Sequence, residues 1–214
     1  MGEQHDPKQL VARSYDSIAE AHAAWAGTVR TYERTRYAAE LLGRLPAGAA
    51  VLELGCGTGI PTTAVLAERF DVTGVDIAAR HVELARRNVP SARFIHADMA
   101  ALDLPPESFD GVAAFYSIIH LPREEHAGLL RSVAGWLRPG GLLVATMGAS
   151  AAPGDIEPDW LGAPMYWSHY DSATNRALVE QAGLRLLSAR EETDTEDGQL
   201  VTFLWVIAEK PVVG

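Results

Sequence analysis

The chain has 214 residues, 48% hydrophobic and 21% charged, which is enough apolar material for one packed core and too much for disorder. Eighteen basic against 28 acidic side chains leave a net charge of −10, which repels phosphate backbones and anionic membrane surfaces and argues against nucleic acid or membrane as the partner. A single cysteine, Cys56, excludes an internal disulfide framework and a multi-cysteine zinc site.

The first residues, MGEQHDPKQ, are polar and lack the apolar core of a signal peptide. Asp6 stands where a myristoylation motif needs Ser or Thr. No apolar run approaches the roughly 18 residues that span a bilayer, so a cytoplasmic protein is expected. Lys8 to Ala24 reads as a helix, and Thr28 or Thr31 caps a second one running to Leu45. Pro46 to Gly48 breaks the pattern, and strands and helices then alternate. Strands are expected at 50–54, 71–75, 92–96, 109–116 and 142–147, with helices at 61–69, 78–88 and 123–137 between them. Pro61 suits a first helical turn, and Pro139-Gly140-Gly141 ends the third of these helices. The run 109–116 is almost continuously apolar, as expected of a strand buried on both faces. Such alternation predicts a parallel sheet with helices on both faces. The segment 149–169 carries Gly, Pro and two tryptophans with little periodicity and is expected to be an ordered insert rather than a scaffold element. A helix at 171–182 and strands at 184–189 and 201–208 close the chain, the strands joined by an acidic hairpin, Glu191 to Asp197, read as a solvated turn.

The chemistry concentrates in Val51-Leu-Glu-Leu-Gly-Cys-Gly-Thr-Gly59, where a strand ends, turns on glycines and leads into a helix. Glycines let backbone approach a ligand, and the helix start beyond offers free N–H groups. The spacing is G-x-G-x-G, with Ile60 where a dinucleotide fingerprint has its third glycine, and no P-loop is present. Glu53, two residues before the first glycine, would repel a diphosphate and suits a ligand with a cationic end. Asp76 ends the next strand and can accept two ribose hydroxyls. Asp98 ends the third and can take an exocyclic amine, with Ile77 and Met99 on either side of the ring.

With VLELGCGTG (51–59), the acid of VDI (75–77), HADM (96–99), FDGVAAFYSIIHL (109–121) and LRPGGLLVAT (137–146), the chain resembles a class I S-adenosylmethionine-dependent methyltransferase over roughly residues 50–147. The later PMYWSHYD (164–171), a helix and AGL (182–184) resemble the tail of small-molecule methyltransferases of the broad type 11/25 group. The resemblance implies a Rossmann-like three-layer α/β sandwich. Its seven-stranded, mostly parallel sheet has a reversed final strand, and the N-terminal helices form a lid. One domain over 1–214 is expected, divided into a helical lid (1–46), a cofactor-binding core (47–148) and a substrate-side part (149–214). S-adenosyl-L-methionine is the implied cofactor, with S-adenosyl-L-homocysteine as product. Gly55, Cys56, Gly57, Thr58 and Gly59 would meet its methionine part, Asp76 the ribose, and Ile77, Asp98 and Met99 the adenine. Backbone around Phe115 and Tyr116 would meet the amino-acid end, and Tyr15 lies on the helix that closes over the cofactor in this family.

Where methyltransferases of bases or glutamine often carry N-P-P-Y, this chain has Ala114-Phe115-Tyr116-Ser117, which points to a small-molecule acceptor. Its expected wall is His22, Trp25, Trp160, Met165, Tyr166, Trp167, His169 and Tyr116, residues whose competing role is to pack the lid. His120, just past the fourth strand, is the first candidate for a general base and His169 the second, with packing as the competing role of His120. His5, His81 and His126 are expected at the surface, and no histidine pair has metal-ligand spacing, so no metal is expected. Competing classes are a non-methylating binding or regulatory protein of the same fold and a nicotinamide-dependent oxidoreductase. Ile60 and Glu53 argue against the oxidoreductase. Monomer and homodimer both remain open.

Overall fold

A computed structural model describes residues 6–196 and 198–212. Helices α1 (Pro7–Ala26) and α2 (Thr31–Arg44) precede an alternating segment: β1 (Ala50–Leu54), α3 (Thr62–Ala67), β2 (Asp71–Asp76), α4 (Ala79–Asn88), β3 (Arg93–His96), β4 (Phe109–Ala114), α5 (Arg123–Trp136) and β5 (Leu137–Gly148). A hairpin of β6 (Ala152–Trp160) and β7 (Ala163–His169) follows, then α6 (Ser172–Gln181), β8 (Arg185–Glu196) and β9 (Gln199–Glu209). The main sheet has seven strands in the order β3-β2-β1-β4-β5-β9-β8. The first five are parallel, and β9 runs antiparallel between β5 and β8. This is the expected three-layer sandwich with a reversed final strand.

Strand periodicity divides the core. Leu52 and Leu54 of β1, Val112 of β4 and Leu143 of β5 face α5 and α6. Their neighbours Val51, Ala113 and Val144 face α2 and α3. Successive side chains on a strand point to opposite faces, so a sheet covered on both sides needs the unbroken apolar runs seen in the sequence. Trp205 of β9 is fully buried and stacks on Tyr37 of α2, ring centroids 4.0 Å apart, fixing that helix on the sheet. Gly111 has no side chain because a Cβ there would come within 2.8 Å of Leu45.

One expectation about elements gains detail and two need correction. The segment 149–169 is mostly a two-stranded antiparallel sheet, turned at Leu161 and Gly162 with φ of 53° and 94°. Both turn residues in the left-handed region are what a two-residue hairpin requires. Pro153 and Pro158 mask it in the sequence, and an exposed strand tolerates them because its outer N–H groups have no ladder to join. The acidic run is also no solvated turn: residues 191–196 are ladder residues of β8. Glu192 accepts from Tyr37 Oη at 2.9 Å and Arg36 at 3.1 Å, and Glu196 pairs with Arg30. Asp197 lies outside the described residues. Finally, β5 begins at Leu137 rather than Leu142, because Leu137 pairs with Phe109 and the Gly140–Gly141 backbone bonds to Lys210.

Helix α1 packs away from the sheet, on the hairpin and on α4. Val11, Tyr15 and Ile18 meet Met165, Tyr166 and Ala78. Ser14 Oγ donates to the Pro164 carbonyl at 2.5 Å, and Asp16 accepts from the Arg80 backbone N–H at 2.8 Å. The loop ends of β1, β2 and β4 therefore lie under a roof made of α1 and β7.

Candidate active site

The glycine turn is built by close packing. A Cβ on Gly55 would sit 2.2 Å from the Ser117 Cβ, and Gly55, Gly57 and Gly59 have φ of 73°, 55° and 79°. Only glycine adopts these conformations without strain. Ser117 Oγ donates to the Leu54 carbonyl at 2.7 Å, tying the end of β4 to the turn. The Asp76 carboxylate accepts from the N–H of Gly57 at 2.8 Å and of Ala78 at 2.9 Å, and lies 3.3 Å from His81 Nδ1. Burial opposes the charge on Asp76, but His81 and these backbone donors outweigh it and hold the carboxyl below the usual range. Glu53 is buried on β1 and accepts from Thr63 Oγ1 at 2.5 Å. Desolvation pushes its carboxyl up to about 8, against Thr63 and Arg34, which pull it down.

A cavity of about 780 Å³ opens over this turn. Its floor holds Glu53, Gly55, Cys56, Gly57, Thr58 and Asp76, and Ile77 and Met99 line one end. Phe115, Tyr116 and His120 line it beyond β4, and Tyr15, His22, Trp25, Trp160, Trp167 and His169 form its roof and rim. Tyr15 Oη donates to His120 Nε2 at 2.8 Å, because His120 Nδ1–H is already given to the Tyr166 carbonyl at 3.0 Å. Burial lowers His120 to about 4 and His22 to about 3, so both rings are neutral near pH 7. His81 hands one proton toward Asp76 and accepts another from His22 Nδ1 at 3.3 Å, which makes a buried Asp76–His81–His22 chain.

Some expected residues lie elsewhere. Gly59 shapes the turn from behind, its Cβ position facing Val89 and Ala85. Asp98 does not line the cavity: Lys8 pairs with it at 2.7 Å and the Ala100 N–H donates to it at 2.8 Å. Met165 is fully buried against α1, and Tyr166 packs on the hairpin, within 2.7 Å of where a Gly154 Cβ would stand. His81 and His126, expected at the surface, are each only 1% exposed. Amphipathicity of α4 and α5 carried no sign of this, since the polar tips of both rings find partners inside, Asp76 for one and the Leu121 carbonyl for the other. His5 lies outside the described residues. The sequence reading missed Arg30, the N-cap of α2, and Arg34 in its first turn, which both line the cavity; their four-residue spacing at the start of a helix with an apolar face was the available signal.

A bare glycine turn, an acid closing β2 and a reversed β9 define a class I methyltransferase architecture. The methyltransferase domain family matches residues 51–141. Trans-aconitate 2-methyltransferase of Paracidovorax citrulli is 41% identical over 121 residues, 54% of this chain and 45% of that protein. The 27-O-demethylrifamycin SV methyltransferase of Amycolatopsis mediterranei is 34% identical over 154 residues, 62% of this chain and 56% of that protein. The chain thus spans about half the length of the curated relatives it matches. The fold superposes with a TM-score of 0.75 on Burkholderia thailandensis 1,6-didemethyltoxoflavin-N1-methyltransferase, solved with 1,6-didemethyltoxoflavin and S-adenosylhomocysteine. That pair shares 20% identity over 99% of this chain and 92% of the other. Residues 51–141 thus match the methyltransferase domain family, and the chain around them shares the fold of that solved methyltransferase.

Proposed function

We propose that the protein transfers a methyl group from S-adenosylmethionine to a small-molecule acceptor held in the same cavity. One observation carries this reading: two buried carboxyl groups, Glu53 and Asp76, flank a turn stripped of side chains at the carboxyl edge of the sheet. The residues fit an adenosyl sulfonium. Asp76 has one acceptor site on Oδ2 left for a ribose hydroxyl, Ile77 and Met99 offer apolar walls to adenine, and Glu53 faces the cationic amino-acid end. Backbone at Gly55–Gly59 and around Phe115 and Tyr116 allows close approach. Asp98 is assigned an indirect part, pinning α1 through Lys8 beside the adenine wall. The relatives whose names specify an acceptor act on small molecules, which supports the same class here.

When bound, the cofactor supplies a methyl carbon on a positively charged sulfur, so displacement depends on alignment more than on activation. Trp25, Trp160, Trp167 and Tyr15 enclose the acceptor side and exclude water, with α1 and β7 as the lid. Tyr15 and His120 form the polar contact available to an acceptor proton: Tyr15 Oη takes it as its own proton passes to His120 Nε2. With His120 lowered to about 4, this relay is a weak base, suited to acceptors that shed their proton readily. His169, on the rim with Nδ1 2.6 Å from the Ser150 carbonyl, is the second candidate.

Calorimetric binding of S-adenosylhomocysteine, followed by a product-mass screen with S-adenosylmethionine, tests the function. A folded chain that binds neither compound refutes it. Tyr15→Phe and His120→Ala should each lower turnover while leaving S-adenosylhomocysteine affinity within about threefold, a difference under 1 kcal/mol. A wild-type rate profile that titrates near 6.5, the ordinary histidine value, would remove His120 from the relay.

A further inference from the structure

The five tryptophans of the chain divide into two groups. Trp136 and Trp205 are core residues, 5% and 0% exposed. Trp25, Trp160 and Trp167 are half-buried, and all three line the cavity. They come from three elements: the last turn of α1, the end of β6 and the body of β7. Trp160 joins them. Its ring meets Trp167 at 5.4 Å and 90°, Trp25 at 5.5 Å and 77°, and Tyr15 at 5.8 Å and 84° between ring centroids and planes. Rings at right angles form a corner. A planar ring stacked on one wall presents its edge to the other, which satisfies both favoured aromatic geometries at once. Indole faces left open inside a cavity lack the stabilisation that burial gives the core tryptophans, and a ligand that covers them supplies it. This wall offers no ionic partner. Glu157, the hairpin acid that lines the cavity, accepts from Trp167 Nε1 at 3.1 Å, and His22 and His120 are neutral near pH 7. Two polar contacts stand beside it. Tyr15 Oη gives its proton to His120 Nε2 and keeps lone pairs for a ligand hydroxyl, and Trp25 Nε1 is buried with no acceptor among the described residues.

We propose that the methyl acceptor is an uncharged aromatic compound with a phenolic hydroxyl, its ring held in the corner of Trp160 and Trp167 and its hydroxyl on Tyr15 Oη. The inference rests on the methyltransferase reading above and names its substrate class. The hydroxyl proton passes to Tyr15 Oη as the tyrosine proton passes to His120 Nε2. The phenolate oxygen bonds to the methyl carbon, and the electron pair of the breaking carbon–sulfur bond returns to sulfur. Positive charge thus moves from sulfur to His120, which loses its proton to solvent after product leaves. A phenol titrates near 10, as tyrosine does, so its proton is within reach of a weak base that leaves an aliphatic alcohol protonated.

Four probes test this on the full chain by calorimetry in the presence of S-adenosylhomocysteine. They are 2-naphthol, its saturated counterpart 2-decalol, 2-naphthalenemethanol, whose hydroxyl is aliphatic, and 2-naphthylamine, which puts nitrogen in the same place. The expected result is that 2-naphthol binds about tenfold or more tightly than 2-decalol, the gain of two aromatic walls. Trp160→Ala should lower 2-naphthol affinity about tenfold and Trp160→Phe should keep most of it, both with S-adenosylhomocysteine affinity within about threefold of wild type. Should Trp160→Ala fail to fold, Trp167→Ala removes the other wall and should show the same loss. With S-adenosylmethionine, mass spectrometry should find 2-methoxynaphthalene in excess over the methylated products of the other probes. Equal binding of 2-naphthol and 2-decalol overturns the proposal. So does a folded tryptophan variant that loses 2-naphthol and S-adenosylhomocysteine alike, since the rings then only pack the lid. Faster methylation of 2-naphthylamine or 2-naphthalenemethanol overturns the phenolic assignment. A wild-type chain that prefers 2-naphthol over 2-decalol yet binds no S-adenosylhomocysteine refutes the methyltransferase reading, and the acceptor role with it, while leaving the aromatic site.

Discussion

Replacing Glu53 by glutamine removes a titratable proton while keeping shape and the hydrogen bond from Thr63. Burial raises the Glu53 carboxyl to about 8, so at pH 7 roughly 90% of folded, ligand-free molecules carry the proton. Its folded value lies above the unfolded one near 4.5. The stability contributed by the neutral form is therefore complete below pH 4.5 and is lost progressively as pH rises to 8, a span on the order of 4 kcal/mol. Glu53→Gln should abolish this alkaline decline. For a chain of this size about 1 kcal/mol moves Tm by about 2–4 °C, so the variant should melt on the order of 10 °C above wild type at pH 8 and close to it at pH 5. A cationic amino-acid end seated beside Glu53 should also drive its proton off. Calorimetry of S-adenosylhomocysteine at pH 7 in buffers of different ionisation enthalpy should show release of nearly one proton by wild type, and none by Glu53→Gln. Methylthioadenosine, without the ammonium, should release none from either. Parallel pH–stability curves for the two proteins, together with proton-neutral binding by wild type, would refute the reasoning.

Asp76→Asn leaves backbone donors at Gly57 and Ala78 facing an amide N–H₂ or sharing one oxygen, at a cost of about 2–4 kcal/mol of stability by urea denaturation, and should weaken S-adenosylhomocysteine by roughly 30-fold or more. Unchanged affinity would mean the ribose lies elsewhere. Gly55→Ala drives a Cβ into Ser117 at positive φ and should cost about 3 kcal/mol or more. Adding Ser117→Gly should restore part of it, and no restoration would locate the strain in the backbone alone. Burial lowers His22 to about 3 and His120 and His126 to about 4, each below the unfolded 6.5. Their stability is complete above pH 6.5 and is lost as pH falls toward 4, so the urea midpoint should drop steeply across that interval. A flat midpoint would place these rings in water.

Patterns confined to neighbouring residues were legible in the sequence. The apolar runs of β1, β4 and β5, the glycine spacing after β1 and the acid at the end of β2 each report local geometry, and their order along the chain defines the doubly covered sheet. The hairpin at 152–169 was not legible, because an exposed strand tolerates the prolines that argue against any strand. Nor was the interior place of His81 and His126, whose partners come from the sheet edge and a neighbouring turn. The acidic run looked like a solvated turn because charge reads as exposure. Arg30 at the N-cap of α2 and Arg36 and Tyr37 within it, some 155 residues or more away in sequence, supply the donors that hold it in place. Motif spacing selected the cofactor end of the cavity, since one loop carries most of it. The acceptor end draws single residues from α1, α2, the β4 loop, β7 and β9, and only the tertiary structure decides which of those side chains meet, because no periodicity links positions that the fold alone brings into contact.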